Sequence, residues 1–171
     1  ERFLTWLSAF RFTCDIHIVP EGTFVFPGEP LVRVEGPLHQ AQLIETALLT
    51  IIGHQTLIAT KANRVVRAAQ GDQVMEFGLP RAQGVDASIY GARAAVIGGC
   101  TSTSNTLAGE MFDIPVAGTH AHSWVSSFDS ELEAFQAYAQ SYPDSCLLLV
   151  DTYDTLRSGV PNAIKVFEEL R

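Results

Sequence analysis

Cysteine is scarce in these 171 residues: only Cys14, Cys100 and Cys146 occur. They are odd in number and widely spaced, with no Cys-x-x-Cys. That excludes a disulfide framework and a zinc knuckle, and it suits a reducing, cytoplasmic setting. Basic residues are outnumbered, 11 Lys and Arg against 19 Asp and Glu, for a net charge of -8. A nucleic-acid partner would want a basic face to displace counterions, so none is expected. Any phosphate pocket must then be local, built from a few Arg, Lys and backbone N–H groups. Long hydrophobic runs are also missing. The apolar stretch from Leu48 to Ile58 is interrupted by Gly53, His54 and Gln55, so no membrane partner is expected. There is no signal-peptide pattern, no internal repeat, no low-complexity segment and no Walker A loop. What is present is 47% hydrophobic and 18% charged residues, the balance of a folded interior. The length suits one domain with a sizeable core.

Glu1 to Phe10 reads as a helix, with Leu4, Leu7 and Phe10 on one face. Thr13 to Val19 alternates apolar and polar residues, which predicts a strand. Pro20-Glu21-Gly22 is a turn, Thr23 to Phe26 a short strand, Pro27 to Pro30 a second turn, and Leu31 to Glu35 another strand. From Leu38 to Ala69 the spacing is helical, as one long helix or as two broken near Gly53. Strands and helices then alternate: strand Gln73 to Phe77, helix Asp86 to Ile97, helix Asn105 to Met111, strand Ile114 to Ala117. Helices follow over Ala121 to Phe128 and Ser130 to Ser141, then a fully apolar strand, Cys146 to Val150, and a helix from Asn162. Ala163, Val166, Phe167 and Leu170 share the face of that last helix. Both termini fall inside amphipathic patterns, so the chain reads as an internal piece of a longer protein. Alternation of this kind predicts parallel pairing in an α/β barrel or a doubly wound sheet. In both, chemistry gathers at the C-terminal ends of the strands.

That rule singles out four loops. In Glu76-Phe77-Gly78-Leu79-Pro80-Arg81, an Arg just past a strand end suits a carboxylate or phosphate, or else it is a surface Arg in a turn. Gly98 to Asn105 offers two glycines, four hydroxyls and an amide at a helix start, where Ser104 also suits a helix cap. Gly118-Thr119-His120-Ala121-His122 puts two imidazoles at a strand end. They could form part of a metal pair, although no further ligand cluster completes it. They could instead be one exposed and one packed histidine, or supply a nucleophile toward phosphorus or an acid/base near neutrality. Asp151 to Thr155 ends the most apolar strand. Its acids suit Mg2+ or ribose hydroxyls, or Asp154 and Thr155 cap the next helix.

Together these segments resemble the nicotinate phosphoribosyltransferase family. The residues that carry the likeness run in order along the chain. They are Pro20-Glu21-Gly22-Thr23 with Phe26-Pro27, Glu45-Thr46, Ala59-Thr60-Lys61-Ala62, Glu76-Phe77-Gly78 with Arg81-Ala82-Gln83-Gly84, and Ala92-Arg93-Ala94 with Gly98-Gly99. Thr103-Ser104-Asn105 follows, then Ile114 to Gly118-Thr119 with Ala121-His122-Ser123, Leu147 to Thr155, and Ser158-Gly159-Val160-Pro161-Asn162. The resemblance implies an α/β fold: an incomplete irregular α/β barrel of type II phosphoribosyltransferases, preceded by part of a β-sandwich-like domain. Residues 1–37 would belong to the N-terminal helix and antiparallel β unit. Residues 38–171 would hold linking helices and the first part of the barrel, with the C-terminal barrel strands absent.

The activity so implied joins nicotinate to phosphoribosyl pyrophosphate, giving nicotinate mononucleotide and pyrophosphate in NAD salvage. ATP hydrolysis is coupled through a phosphohistidine, Mg2+ accompanies the phosphorylated substrates, and the full-length enzyme is a homodimer. His122 matches the phosphohistidine and Thr119 a residue contacting nicotinate; Arg81, Ser104 and Asp151 are the further substrate-binding candidates. Ser104 stands where nicotinamide-using relatives carry an Asp. An Asp would repel a carboxylate that a hydroxyl can donate to, which favours nicotinate. Family members usually carry two arginines where this chain has Pro80-Arg81, so one guanidinium is lost and the turn is stiffened. The alternatives are a nicotinamide or quinolinate phosphoribosyltransferase, or a non-catalytic barrel fragment. The 171 residues alone are expected to show no turnover, because the family's stacking aromatic segment and later strands lie outside them.

Overall fold

The alternating run near the N-terminus forms a hairpin-like pair in the computed structural model, which describes residues 1–169. Helix α1 (Arg2–Ser8) precedes strand β1 (Asp15–Ile18), which pairs antiparallel with β2 (Val32–Glu35) in the register Ile16 opposite Val34. The strand expected over Thr23 to Phe26 does not form. Prolines flank it on both sides, Thr23 N–H closes a turn on the Pro20 carbonyl, and Phe26 N–H donates to the Glu29 carboxylate. The donors at its two ends are thus taken by the flanking turns and not by a ladder.

Helix α2 (Leu38–Ala68) then runs for 31 residues without a break at Gly53. By length and composition alone it is able to cross a membrane, and none of that window is fully buried within the chain. The absence of such a run expected from sequence is thereby corrected: an isolated Gly costs a helix only about 1 kcal/mol, and neighbouring turns carry the helix through. The polar residues within α2 have work on the protein side. His54 bonds through Nε2 with the Ala87 carbonyl, and Asn63 donates to the Gly98 carbonyl. Both partners belong to helix α3 (Val85–Ile97) or its C-cap, and the two helices pack through Ala62, Ala95 and Cys100. They approach closely at Gly98, where a Cβ would press into Ala59 and Ala62.

Strands β3 (Met75–Glu76) and β4 (Ser102–Thr103) flank α3 in sequence and pair in parallel, and Thr103 bridges in parallel to Val116. This is the strand–helix–strand crossover expected from the alternation. The predicted strand Ile114 to Ala117 contributes only that one bridge, and β4 lies inside what reads from sequence as a loop. Helix α4 (Thr106–Phe112) starts at Asn105, whose side chain accepts from Ala108 N–H. The cap is therefore Asn105 and not Ser104.

By contacts the chain divides into two units, residues 1–116 and residues from Ala117 on. Within the first unit α2 lies along α3, and Arg93 of α3 forks onto Glu21 at 2.6 and 2.7 Å. In the second unit, α5 (His122–Val125) is a single turn. Helix α6 (Glu131–Ser141) is capped by the Ser130 hydroxyl accepting from Glu133 N–H, with Glu131 and Glu133 suiting its positive end. Helix α7 (Val160–Glu169) follows a π-turn, Thr155–Gly159, that Asp154 caps by accepting from Leu156 and Arg157 N–H. Leu170, placed by the sequence on the apolar face of α7, lies outside the described residues. Phe135, Val125 and Ala134 are fully buried and form the core with Ala139, Ala163 and Val166.

The run Cys146 to Val150 is not a strand, since it takes part in no ladder among the described residues. It is half-buried and not fully buried as its composition predicts, with Leu147 46% exposed. Its inward side chains, Cys146, Leu148 and Val150, pack on the Phe135 core.

Candidate active site

In the second unit, a short loop and the end of the Cys146–Val150 segment meet. His122 begins α5, with Ala121 ahead of it in extended backbone. Its Nδ1 lies 3.2 Å from the Thr152 hydroxyl, and its Nε2 lies 3.7 Å from an Asp151 carboxylate oxygen. The latter is an electrostatic contact, too long for a hydrogen bond. Both side chains are more than half exposed, 56% and 58%, so solvent screens their attraction and reagents have access. The Thr152 hydroxyl on one ring nitrogen and the Asp151 carboxylate near the other orient the imidazole. Such a group can act as a nucleophile toward phosphorus or as an acid/base.

His120, two residues earlier, has the opposite environment. Sequence spacing in extended backbone predicts that both imidazoles point the same way. The turn into α5 separates them, and His120 is only 8% exposed. Its Nε2 accepts the Leu149 N–H at 3.1 Å, and its ring meets Tyr138 edge-on at 4.8 Å and tilts over Phe135 at 5.7 Å. Burial holds its pKa below the ordinary histidine value, the nearby His122 adds to the depression, and the Ala121 carbonyl opposes it. One histidine is packed and one is exposed. Thr119, between Gly118 and His120, turns its hydroxyl to the His120 carbonyl at 2.7 Å.

Arg81 and Ser104 belong to the first unit. Arg81 ends a single 3-10 turn, Leu79–Arg81, that Pro80 helps to set, and its guanidinium donates to the Phe77 carbonyl at 3.1 Å. Ser104 follows β4, and its N–H donates to the Glu76 carbonyl. Glu76 ties this strand end together: its carboxylate accepts from Gly78 N–H and from the Thr103 hydroxyl. His122, Asp151 and Thr119 thus lie in one unit and Arg81 and Ser104 in the other. Glu76 and Thr152 fall within the loops that the sequence singles out, yet neither receives a role from sequence alone. A hydroxyl directly after the strand-end acid is the available signal for Thr152.

No cluster of three or more His, Cys, Asp or Glu side chains that could hold a metal ion occurs among the described residues. The two rings face different partners, His120 the Leu149 N–H and His122 the Thr152 hydroxyl.

Residues 1–53 match the family model of the nicotinate phosphoribosyltransferase N-terminal domain. Over 99% of its length the chain is 54% identical to nicotinate phosphoribosyltransferase of Bacillus subtilis, of which it covers 34%. It is 39% identical over 97% of its length to that of Dictyostelium discoideum, of which it covers 35%. The chain therefore spans about a third of the length of the curated relatives it matches. Among solved structures it superposes on human nicotinic acid phosphoribosyltransferase with a TM-score of 0.89 at 33% identity, covering 98% of this chain and 43% of that one. On nicotinate-nucleotide pyrophosphorylase from Pyrococcus furiosus the TM-score is 0.75 at 29% identity, covering 91% and 39%.

Proposed function

The chain belongs to the nicotinate phosphoribosyltransferase family, and on that premise we propose that it is the portion of such an enzyme that carries the phosphoryl-accepting histidine. The parent protein would join nicotinate to phosphoribosyl pyrophosphate, releasing pyrophosphate, with ATP hydrolysis coupled through phosphorylation of His122. The observation that carries this reading is His122 at a loop end, accessible, with Thr152 and Asp151 on its two ring nitrogens. Phosphorylation there adds about -1.5 to -2 charges, by analogy with other phosphorylated side chains. That charge would repel Asp151 and rearrange whatever cations approach, a direct way to couple ATP to substrate binding. Displacement of pyrophosphate from the anomeric carbon builds positive charge on the sugar, so catalysis is mostly positioning and charge stabilisation.

In the same proposal Thr119 contacts nicotinate, Ser104 donates to its carboxylate, and Arg81 binds an anionic group once it leaves the Phe77 carbonyl. Mg2+ would arrive with the phosphates of phosphoribosyl pyrophosphate and ATP. It commonly takes only one or two protein carboxylates, and Asp151 is an exposed acid of the loop beside His122. The finer architecture, an incomplete type II α/β barrel over residues 38–171 preceded by part of a β-sandwich-like domain over 1–37, belongs to this proposal too. So do a homodimeric, cytoplasmic parent and the absence of nucleic-acid and membrane partners.

The test uses the full-length protein. Label from γ-phosphate-labelled ATP should enter wild type in an acid-labile, base-stable form and be lost in His122→Ala. Retained label in His122→Ala would place the phosphate elsewhere and end this reading. Comparing nicotinate with nicotinamide tests Ser104, and a preference for the amide would remove its role.

A further inference from the structure

We propose that His120 is a positioning residue: its neutral imidazole pins the Cys146–Val150 segment to the Gly118–His122 loop, and so sets His122 against Thr152 and Asp151. The inference deepens the phosphohistidine reading of His122 and rests on it for its functional consequence.

The segment leading to Asp151 has no ladder partner among the described residues, so its backbone groups need other support. Leu149 N–H finds it in His120 Nε2 at 3.1 Å. A nitrogen that accepts carries no proton, so the proton sits on Nδ1, which faces the Ala121 carbonyl at 3.4 Å. The ring cannot swing away, because Tyr138 and Phe135 of α6 hold it at 4.8 and 5.7 Å between centroids.

Two rungs therefore join the same two pieces of chain. One runs from His120 to Leu149. The other, two residues further along on one side and two or three on the other, runs from His122 to Asp151 and Thr152. The inner rung is part-buried, with the His120 ring itself 8% exposed and clamped, whereas the outer rung is exposed. A bond shielded on the ring side holds its geometry better than one open to water, so the inner rung fixes the register of the outer. Protonation of His120 would set a donor against the Leu149 donor and break the pin. Its burial disfavours that charge.

The experiment uses full-length protein in three forms: wild type, His120→Leu, which keeps the bulk and loses the acceptor, and His120→Gln, which restores an acceptor. Three readouts are taken: amide exchange at Leu149, the 15N signals of the His122 ring, and the rate of label uptake from ATP. In His120→Leu, Leu149 should exchange about fivefold to tenfold faster, as loss of one hydrogen bond implies. The His122 ring signals should shift, and label uptake should fall at least about tenfold, since small misplacements of a reacting group are costly. His120→Gln should recover most of all three, which a simple packing role would not produce. Unchanged Leu149 exchange or unmoved His122 signals in His120→Leu would overturn the pin, as would wild-type label uptake with the pin lost. If wild type takes up no label, the phosphohistidine reading fails by itself. The exchange and ring signals then still decide whether His120 positions His122.

Discussion

Gly159→Ala sets two physical effects against each other at one atom. Gly159 is buried in the π-turn ahead of α7, and a Cβ there would overlap Val150, with the carbonyl oxygen, carbonyl carbon and Cα all in the way. Propensity favours the change, since Ala is better than Gly in helical backbone by about 0.8–1.0 kcal/mol. Sterics oppose it, because overpacking typically costs about 1–3 kcal/mol. All three obstructing atoms are backbone and cannot rotate aside, which puts the cost at the upper end of that range. The net expectation is a loss of about 1–2 kcal/mol. Gly53 is the control. It lies in the middle of α2 with nothing within 4 Å of the place a Cβ would take, so Gly53→Ala should gain about 0.5–1 kcal/mol. The chain has two tryptophans, Trp6 and Trp124. In a Trp6→Phe background the fluorescence of Trp124, whose indole N–H donates to the Ala134 carbonyl, reports the second unit. Urea unfolding followed by that signal should show a lower midpoint for Gly159→Ala, and whole-chain stability should rise for Gly53→Ala. A Gly159→Ala midpoint at or above that of the parent would refute the close approach to Val150.

Phe135 is fully buried in the second unit, so Phe135→Ala should cost about 3–5 kcal/mol, read as loss or collapse of the Trp124 transition. Glu131 is buried and accepts from the Ser158 hydroxyl and from Asn162, which joins α6 to the π-turn and α7. Glu131→Ala leaves two donors unmatched and should cost about 1–3 kcal/mol, while Glu131→Gln keeps an acceptor and should cost less; equal midpoints for the two would show that the bonds contribute nothing. The hydrogen bond from Arg93 holds the Glu21 carboxyl below its ordinary value. The folded state then binds this proton less readily than the unfolded state, so the contribution is present above the ordinary Glu value and is lost as pH falls through the lowered one. Glu21 is 59% exposed, so the effect should stay under about 1 kcal/mol, and Glu21→Gln should flatten the acid limb of a stability–pH curve by that small amount.

Helices are the legible part of this chain, for a physical reason. Their hydrogen bonds close within four residues, so the pattern that makes α3, α4 and α6 is local, and their observed ends fall within a residue or two of the spacing. Strands depend on partners that lie elsewhere in the chain. Thr23 to Phe26 has strand-forming residues and no ladder, and the turns on either side take up the donors of its two end residues. Ser102–Thr103 pairs in parallel with Met75–Glu76 although its own composition resembles a loop. The cap at α4 falls on Asn105 and not on its neighbour Ser104, a difference of one residue that local chemistry does not decide.

The two histidines show where legibility ends. His120 and His122 are the same residue type, two positions apart, at the same predicted strand end. Their difference comes from α6, which begins nine residues beyond His122 and brings Phe135 and Tyr138 over one ring and not the other. Family resemblance singles out His122 without that information, because a motif records which residue has a role and not what holds it in place. The support is tertiary. From one side His120 takes the Leu149 N–H, and from the other Gly159 lets the π-turn close on Val150. Asp151 and Thr152 follow directly from these two held positions. An exposed histidine can therefore depend on two buried neighbours whose own sequence signals, a second histidine and a glycine in a turn, read as incidental until the chain is folded.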